Sequence, residues 1–197
     1  MPNSSPIPLD VVALLEVFRM GLVTGLWDQQ AVMAWADARV LAEQEPPEFV
    51  LDLALSGHRT RNDVVAALEG YIRSPRPAES GRVVLGLLHQ QYTAGHLPLQ
   101  RVVRTMDWLQ WHGTFTEPER SFLAGVDDEY ELAMAGVRGP TAAAVEALDQ
   151  YVRWLLSFYE PLGLDNPAAW AQLVPEIASQ VQAARPAHSS RNPQNGS

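Results

Sequence analysis

The sequence predicts an all-α protein, and three observations carry that prediction. Apolar residues recur with helical spacing along most of the chain, while the two-residue alternation of a half-buried strand is nearly missing. Helix-starting residues (Asp, Asn, Thr, Pro) and helix-ending glycines recur on either side of those apolar runs. The 197 residues are 47% hydrophobic with no cysteine, so a packed core must hold the fold without disulfides, thiol chemistry or Cys-ligated zinc. We expect one compact domain of about eight to ten helices over residues 7–185, with two pseudo-repeated halves as an option. Residues 1–6 are rich in Pro and Ser, and residues 186–197 hold no large apolar side chain. Neither segment offsets its ordering entropy by burial, so a mobile N-terminal tail and a disordered C-terminal tail are expected.

The first helix is expected from about Leu9 to Met20. Val11, Val12, Leu14, Leu15, Val17 and Phe18 make it apolar almost all round, the pattern of a buried helix, with Gly21 and Gly25 marking its end. Asp28 is a fitting N-cap for a second helix to about Glu43, which carries Val32, Trp35 and Ala36 on one face. Pro46-Pro47 stops the chain and restarts it as a short helix bearing Phe49, Val50 and Leu53, ending near Gly57. Asn62 is expected to cap a fourth helix with Val64, Val65, Leu68 and Tyr71 inward, closed by Ser74-Pro75-Arg76-Pro77. A helix from about Ser80 to Tyr92 follows, ended at Gly95.

Pro98 sits where a first-turn proline belongs, opening a helix to His112 that Gly113 terminates. Thr116 and Glu119 form a capping box, with Pro118 inside the first turn. Gly125, Gly136 and Gly139-Pro140 mark further breaks. Thr141 to Tyr159 is expected to be the longest helix, since Val145, Leu148, Val152, Leu155 and Tyr159 fall at spacings of three and four. Asn166-Pro167 opens a last segment, interrupted or kinked at Pro175. The two halves match weakly. Leu14-Leu15, Gly21 and Asn62–Tyr71 have counterparts in Leu87-Leu88, Gly95 and Ala142–Tyr151, at offsets that drift from 73 to 80 residues.

Charge and composition exclude several function classes. A net charge of −9 disfavours nucleic-acid and anionic-membrane binding, because both need a positive surface. No run approaches the roughly 18 apolar residues of a membrane span. The stretch from Met1 to Pro6 lacks a basic region followed by an apolar core, so a cytoplasmic location is expected. Residues 56–115 carry seven arginines against four acids: Arg59, Arg61, Arg73, Arg76, Arg82, Arg101 and Arg104. Pairing with the acidic flanks accounts for them, and a docking patch for an acidic partner is the alternative.

Motifs of bond-making chemistry are missing from the sequence. It contains no phosphate-cradling glycine loop, no HExxH helix and no GxSxG elbow. His89 and His96 are seven apart, but Gly95 should end their helix before they align. Asp127, Asp128 and Glu131 are weak candidates for a hard cation such as Mg²⁺, since Asp127 and Glu131 lie one turn apart. Acids at a helix start are also what the helix dipole favours. No catalytic residue and no cofactor is assigned.

The most informative helix is that from Pro98 to His112. Val102, Val103, Met106 and Leu109 share one face, an ordinary core stripe. Roughly opposite, Arg101, Arg104, Trp108 and Trp111 form a second stripe, with Arg104 placed to lie over the Trp108 indole. Either a second layer of the same domain covers this stripe, or another chain does, since Trp and Arg supply most interface hot spots. The sequence thus favours a non-enzymatic protein–protein interaction or regulatory protein, of which the toxin-neutralising type is one form. Its partner is a second protein or another copy of itself. The alternative is a metal- or small-ligand-binding protein or enzyme with a pocket between two helical halves.

Overall fold

The computed structural model describes residues 9–72, 77–164 and 167–189. The fold is all-α, with no strand among the described residues. The chain divides into two compact units, the first ending at Ser80 and the second beginning at Gly81. The expected N-terminal tail at residues 1–6 and residues 190–197 of the expected C-terminal tail (186–197) lie outside the described residues, as do Arg73, Ser74, Pro75, Arg76 and Asn166.

The first unit contains α1 (Leu9–Thr24), α2 (Gln29–Ala42), α3 (Glu48–Ala54) and α4 (Arg61–Tyr71). A 3₁₀ turn, Leu55–His58, continues α3 past its last α-helical residue. α1 packs on α4, and α2 packs on α3. From Val11 to Leu22 α1 is buried on every side, as its composition predicts. Glu16 and Arg19, the charged residues within that span, are buried as well. The Arg19 guanidinium donates to both Glu16 carboxylate oxygens at 2.6 and 2.7 Å, and reaches Glu69 of α4 at 3.5 Å. Burying the two charges together avoids the cost of burying either alone.

Gly21 does not end α1, contrary to expectation. A side chain there would collide with the indole of Trp27, which lies with Trp35 against Phe18 at ring separations of 5.3 and 5.0 Å. The glycine makes room for that aromatic cluster, and the helix ends just before Gly25, whose φ is +68°. Asp28 caps α2 by accepting from the Ala31 N–H at 3.0 Å. The cap of α4 is Thr60, with Asp63 completing a capping box, so Asn62 lies inside the first turn rather than before it. The Asp-containing variant of the box satisfies the same orphan N–H groups.

The second unit contains α5 (Ser80–Thr93, from its second residue onward), α6 (Leu99–His112), α7 (Glu117–Leu123), α8 (Val126–Met134), α9 (Thr141–Ser157) and α10 (Trp170–Ser189). α6 packs on α7 and α8, α8 on α9, and α7 on α10. Val102, Val103, Met106 and Leu109 of α6 are fully buried, as their spacing predicts. Pro98 is the N-cap of α6 and not its first helical residue. α10, at 20 residues, is longer than α9 at 17, and it continues through Pro175 and past the expected boundary at Pro186. The weak internal repeat is not confirmed, since four α-helices lie wholly in the first unit and the second holds the remainder.

The Thr116 capping box forms as predicted, with an additional role. Glu119 accepts from the Thr116 N–H and hydroxyl, both at 2.8 Å, and from two Arg82 nitrogens at 2.7 and 2.5 Å. Arg82 also donates to the Thr114 carbonyl at 3.0 Å, and the Tyr159 hydroxyl donates to Glu119 at 3.3 Å. One carboxylate thereby joins α5, α7 and the end of α9. Burial alone would raise the Glu119 pKa, but the Arg82 and Thr116 hydrogen bonds hold it below the usual carboxylate value. Burial, with Glu119 beside it, pushes the Tyr159 hydroxyl well above the ordinary tyrosine value.

Candidate functional site

The site is built on α6, where a fixed core stripe leaves the opposite face toward solvent. Of the six tryptophans, Trp111 is the one exposed, at 72%. Trp27, Trp35, Trp108 and Trp154 are half-buried, and Trp170 is buried with its indole N–H donating to the Gly163 carbonyl at 2.8 Å. Trp108 and Trp111 therefore part company. The Trp108 ring stacks on the His112 imidazole, one turn along, at 4.2 Å and 22°. Trp111 projects into solvent.

Arg104 does not take the place over Trp108 that its spacing suggests. Its guanidinium reaches across to α8, 4.0 Å from Asp127 and 3.6 Å from Glu131. The reason is electrostatic: two carboxylates one turn apart on a packed neighbour outweigh a single ring face in partly exposed surroundings. Arg101 is exposed on the first turn of α6, and its backbone carbonyl accepts from the Thr105 hydroxyl. The four stripe residues thus share a helix without forming one cluster.

Of the weak metal candidates, Asp127 and Glu131 face the same guanidinium and Asp128 turns away from them. The cation beside Asp127 and Glu131 is Arg104, and Asp128 faces a different concavity. Burial raises the Asp127 pKa above the usual value, with Asp107, Glu131 and Asp128 adding to the rise and Arg104 opposing it. Among the described residues no three carboxylate or imidazole groups converge as metal ligands would.

Beside Trp111 lies a groove of about 500 Å³ between α6, α7 and α8. Asp107 and Trp111 line it from α6, Glu117 and Arg120 from α7, and Asp128 from α8. Asp107 accepts from Gln110 at 3.0 Å, which steadies its carboxylate. Gly125, at φ +74°, turns the chain between α7 and α8 so that both helix starts face the same groove. Asp107, Glu117 and Arg120 were not singled out by sequence. Asp107 had a signal, since it precedes Trp111 by four residues on one face. Glu117 and Arg120 had none, because their proximity depends on where α7 packs.

A second concavity, about 460 Å³, lies between α8 and α9 and is lined by Ala144, Ala147, Leu148 and Tyr151. The Tyr151 hydroxyl donates to the Phe122 carbonyl at 2.8 Å, and burial pushes its pKa up to about 12. The phenol, already neutral at pH 7, is made harder still to ionise.

Three arginines of the locally basic middle, Arg59, Arg82 and Arg104, pair with carboxylates within the fold. Arg59 donates to Asp52 at 3.0 and 2.5 Å, Arg82 holds Glu119, and Arg104 faces Asp127 and Glu131. His89 lies on α5, while His96 follows Gly95 off the helix end and contacts Gln91 at 3.1 Å, so the two do not align. No helix among the described residues is long and apolar enough to cross a membrane. No family model matches the chain, and no curated protein or solved structure matches it. A reading of function starts from the chemistry of the site.

Proposed function

We propose that this chain is a non-enzymatic, cytoplasmic interaction protein that docks a protein partner on the outer face of α6, with Trp111 as its anchor. The observation that supports this reading is the exposure of Trp111 while five other indoles are partly or wholly covered. A tryptophan brings a large rigid surface to an interface at low entropic cost, which is why it dominates hot spots. Its surroundings are already organised. Trp108 rests on His112, Arg104 is held by α8, and the core stripe fixes the helix beneath. A pre-organised face loses less freedom on binding than a mobile one.

Affinity capture from the native cell tests the reading, comparing the wild type with Trp111→Ala and with Leu41→Ala as an exposed apolar control. A partner protein retained by wild type and by Leu41→Ala but lost with Trp111→Ala supports it. Thermal unfolding of Trp111→Ala should stay within about 0.5 kcal/mol of wild type, as at other exposed positions. Light scattering shows whether the partner is a second copy, through a mass that halves in the variant. An unchanged capture profile and unchanged mass for Trp111→Ala sink the reading.

A further inference from the structure

The chemistry of the groove beside Trp111 specifies its partner further than the exposed indole alone does. Three carboxylates, Asp107, Glu117 and Asp128, surround it against one arginine, Arg120. Glu117 and Asp128 are exposed and have no ion pair among the described residues. Arg104, which would otherwise repel a cation at this face, is drawn away onto Asp127 and Glu131. The chain as a whole carries −9, so its far field has the same sign as the groove. We infer that the groove receives an arginine side chain from a basic segment of the partner protein, its guanidinium stacked on the Trp111 indole and forked onto Asp107 and Asp128.

The choice of arginine follows from shape and charge together. A flat indole beside separate carboxylates suits a planar cation that stacks with its face and donates from its edge. A lysine ammonium is a strongly hydrated point charge that uses the ring less well. An acidic segment would meet three like charges at close range.

This inference rests on α6 being the docking face, and its test separates the two. Nitrogen-15 labelling of the full chain gives one indole signal for each of the six tryptophans, and Trp111→Phe identifies the one concerned. The probe is the blocked pentapeptide Gly-Arg-Gly-Arg-Gly, compared with its lysine and glutamate counterparts. The Trp111 signal should shift saturably with the arginine peptide, several-fold more weakly with lysine, and not with glutamate. The double variant Asp107→Asn/Asp128→Asn should weaken binding about tenfold, a size common for paired interfacial charges. Its other five indole signals should stay in place, which shows that it folds. Glu146→Gln/Glu160→Gln, on exposed carboxylates outside the groove, should bind as wild type. A stationary Trp111 signal overturns the inference, as do equal shifts with lysine or glutamate and undiminished binding by the double variant. If that happens while Trp111→Ala still loses its captured partner, α6 remains the docking face and only the cationic specificity fails.

Discussion

Glu119 shows how much one side chain decides in this molecule. As the third residue of a capping box it satisfies the start of α7, and as the partner of Arg82 it neutralises a buried guanidinium. Replacing it with Gln keeps the shape and removes the charge. Because that leaves the buried Arg82 charge without its carboxylate, Glu119→Gln should destabilise the fold by about 3–5 kcal/mol near neutral pH, read from the urea midpoint. The pH dependence has a definite sign. The folded-state pKa of Glu119 lies below its unfolded value, so its stabilisation is complete above roughly pH 4.3 and is lost as pH falls through the folded value. The gap between wild type and Glu119→Gln should therefore narrow on acidification. A gap that stays constant from neutral pH to pH 3 would contradict this account. The capping box was legible from Thr116 and Glu119 three positions apart in sequence. The ion pair was not, since Arg82 lies 37 residues away and nothing local links the two.

At the scale of elements, helix placement depends on a few close approaches. α5 carries Gly86 where a Cβ would collide with the backbone carbonyl oxygens of Tyr159 and Leu162. Backbone cannot step aside as a flexible side chain can. Gly86→Ala should therefore lower stability by about 1–3 kcal/mol, the usual range for overpacking, although alanine is the better helix former. Urea unfolding measures this, and a stabilised variant would mean that the two segments do not meet so closely. Gly21 in α1 makes a similarly close approach, to the Trp27 ring rather than to backbone. Gly21 reads as punctuation in the sequence, whereas Gly86 lies inside an expected helix with nothing local to mark it. Gly95 and Gly125 do punctuate, with φ of +75° and +74°. What distinguishes the two kinds is the neighbour brought up by tertiary packing, which local spacing does not encode.

Across the whole molecule, charge gives the proposed docking face its reach. The sequence carries −9, and the groove beside Trp111 has the same sign, so a basic partner is drawn in by both. Salt shortens that reach from about 30 Å at 0.01 M to about 8 Å at 0.15 M. Association of the arginine peptide or of the captured partner should slow by about tenfold over this interval, as electrostatically steered encounters do. Stopped-flow tryptophan fluorescence follows the rate, and a salt-independent rate would remove charge from the recognition.

The sequence by itself determined that the chain is helical, where most helices start and stop, and which face of α6 enters the core. These follow from spacing and from short-range hydrogen bonding, both of which act within a few residues. It also isolated Trp108 and Trp111 as the unusual pair. Tertiary structure alone decided that Trp108 would rest on His112, that Arg104 would turn to Asp127 and Glu131, and that Trp111 would stand beside a groove edged by α7 and α8. Those outcomes depend on competition between partners distant in the chain, and the partner that wins is set by how the helices pack.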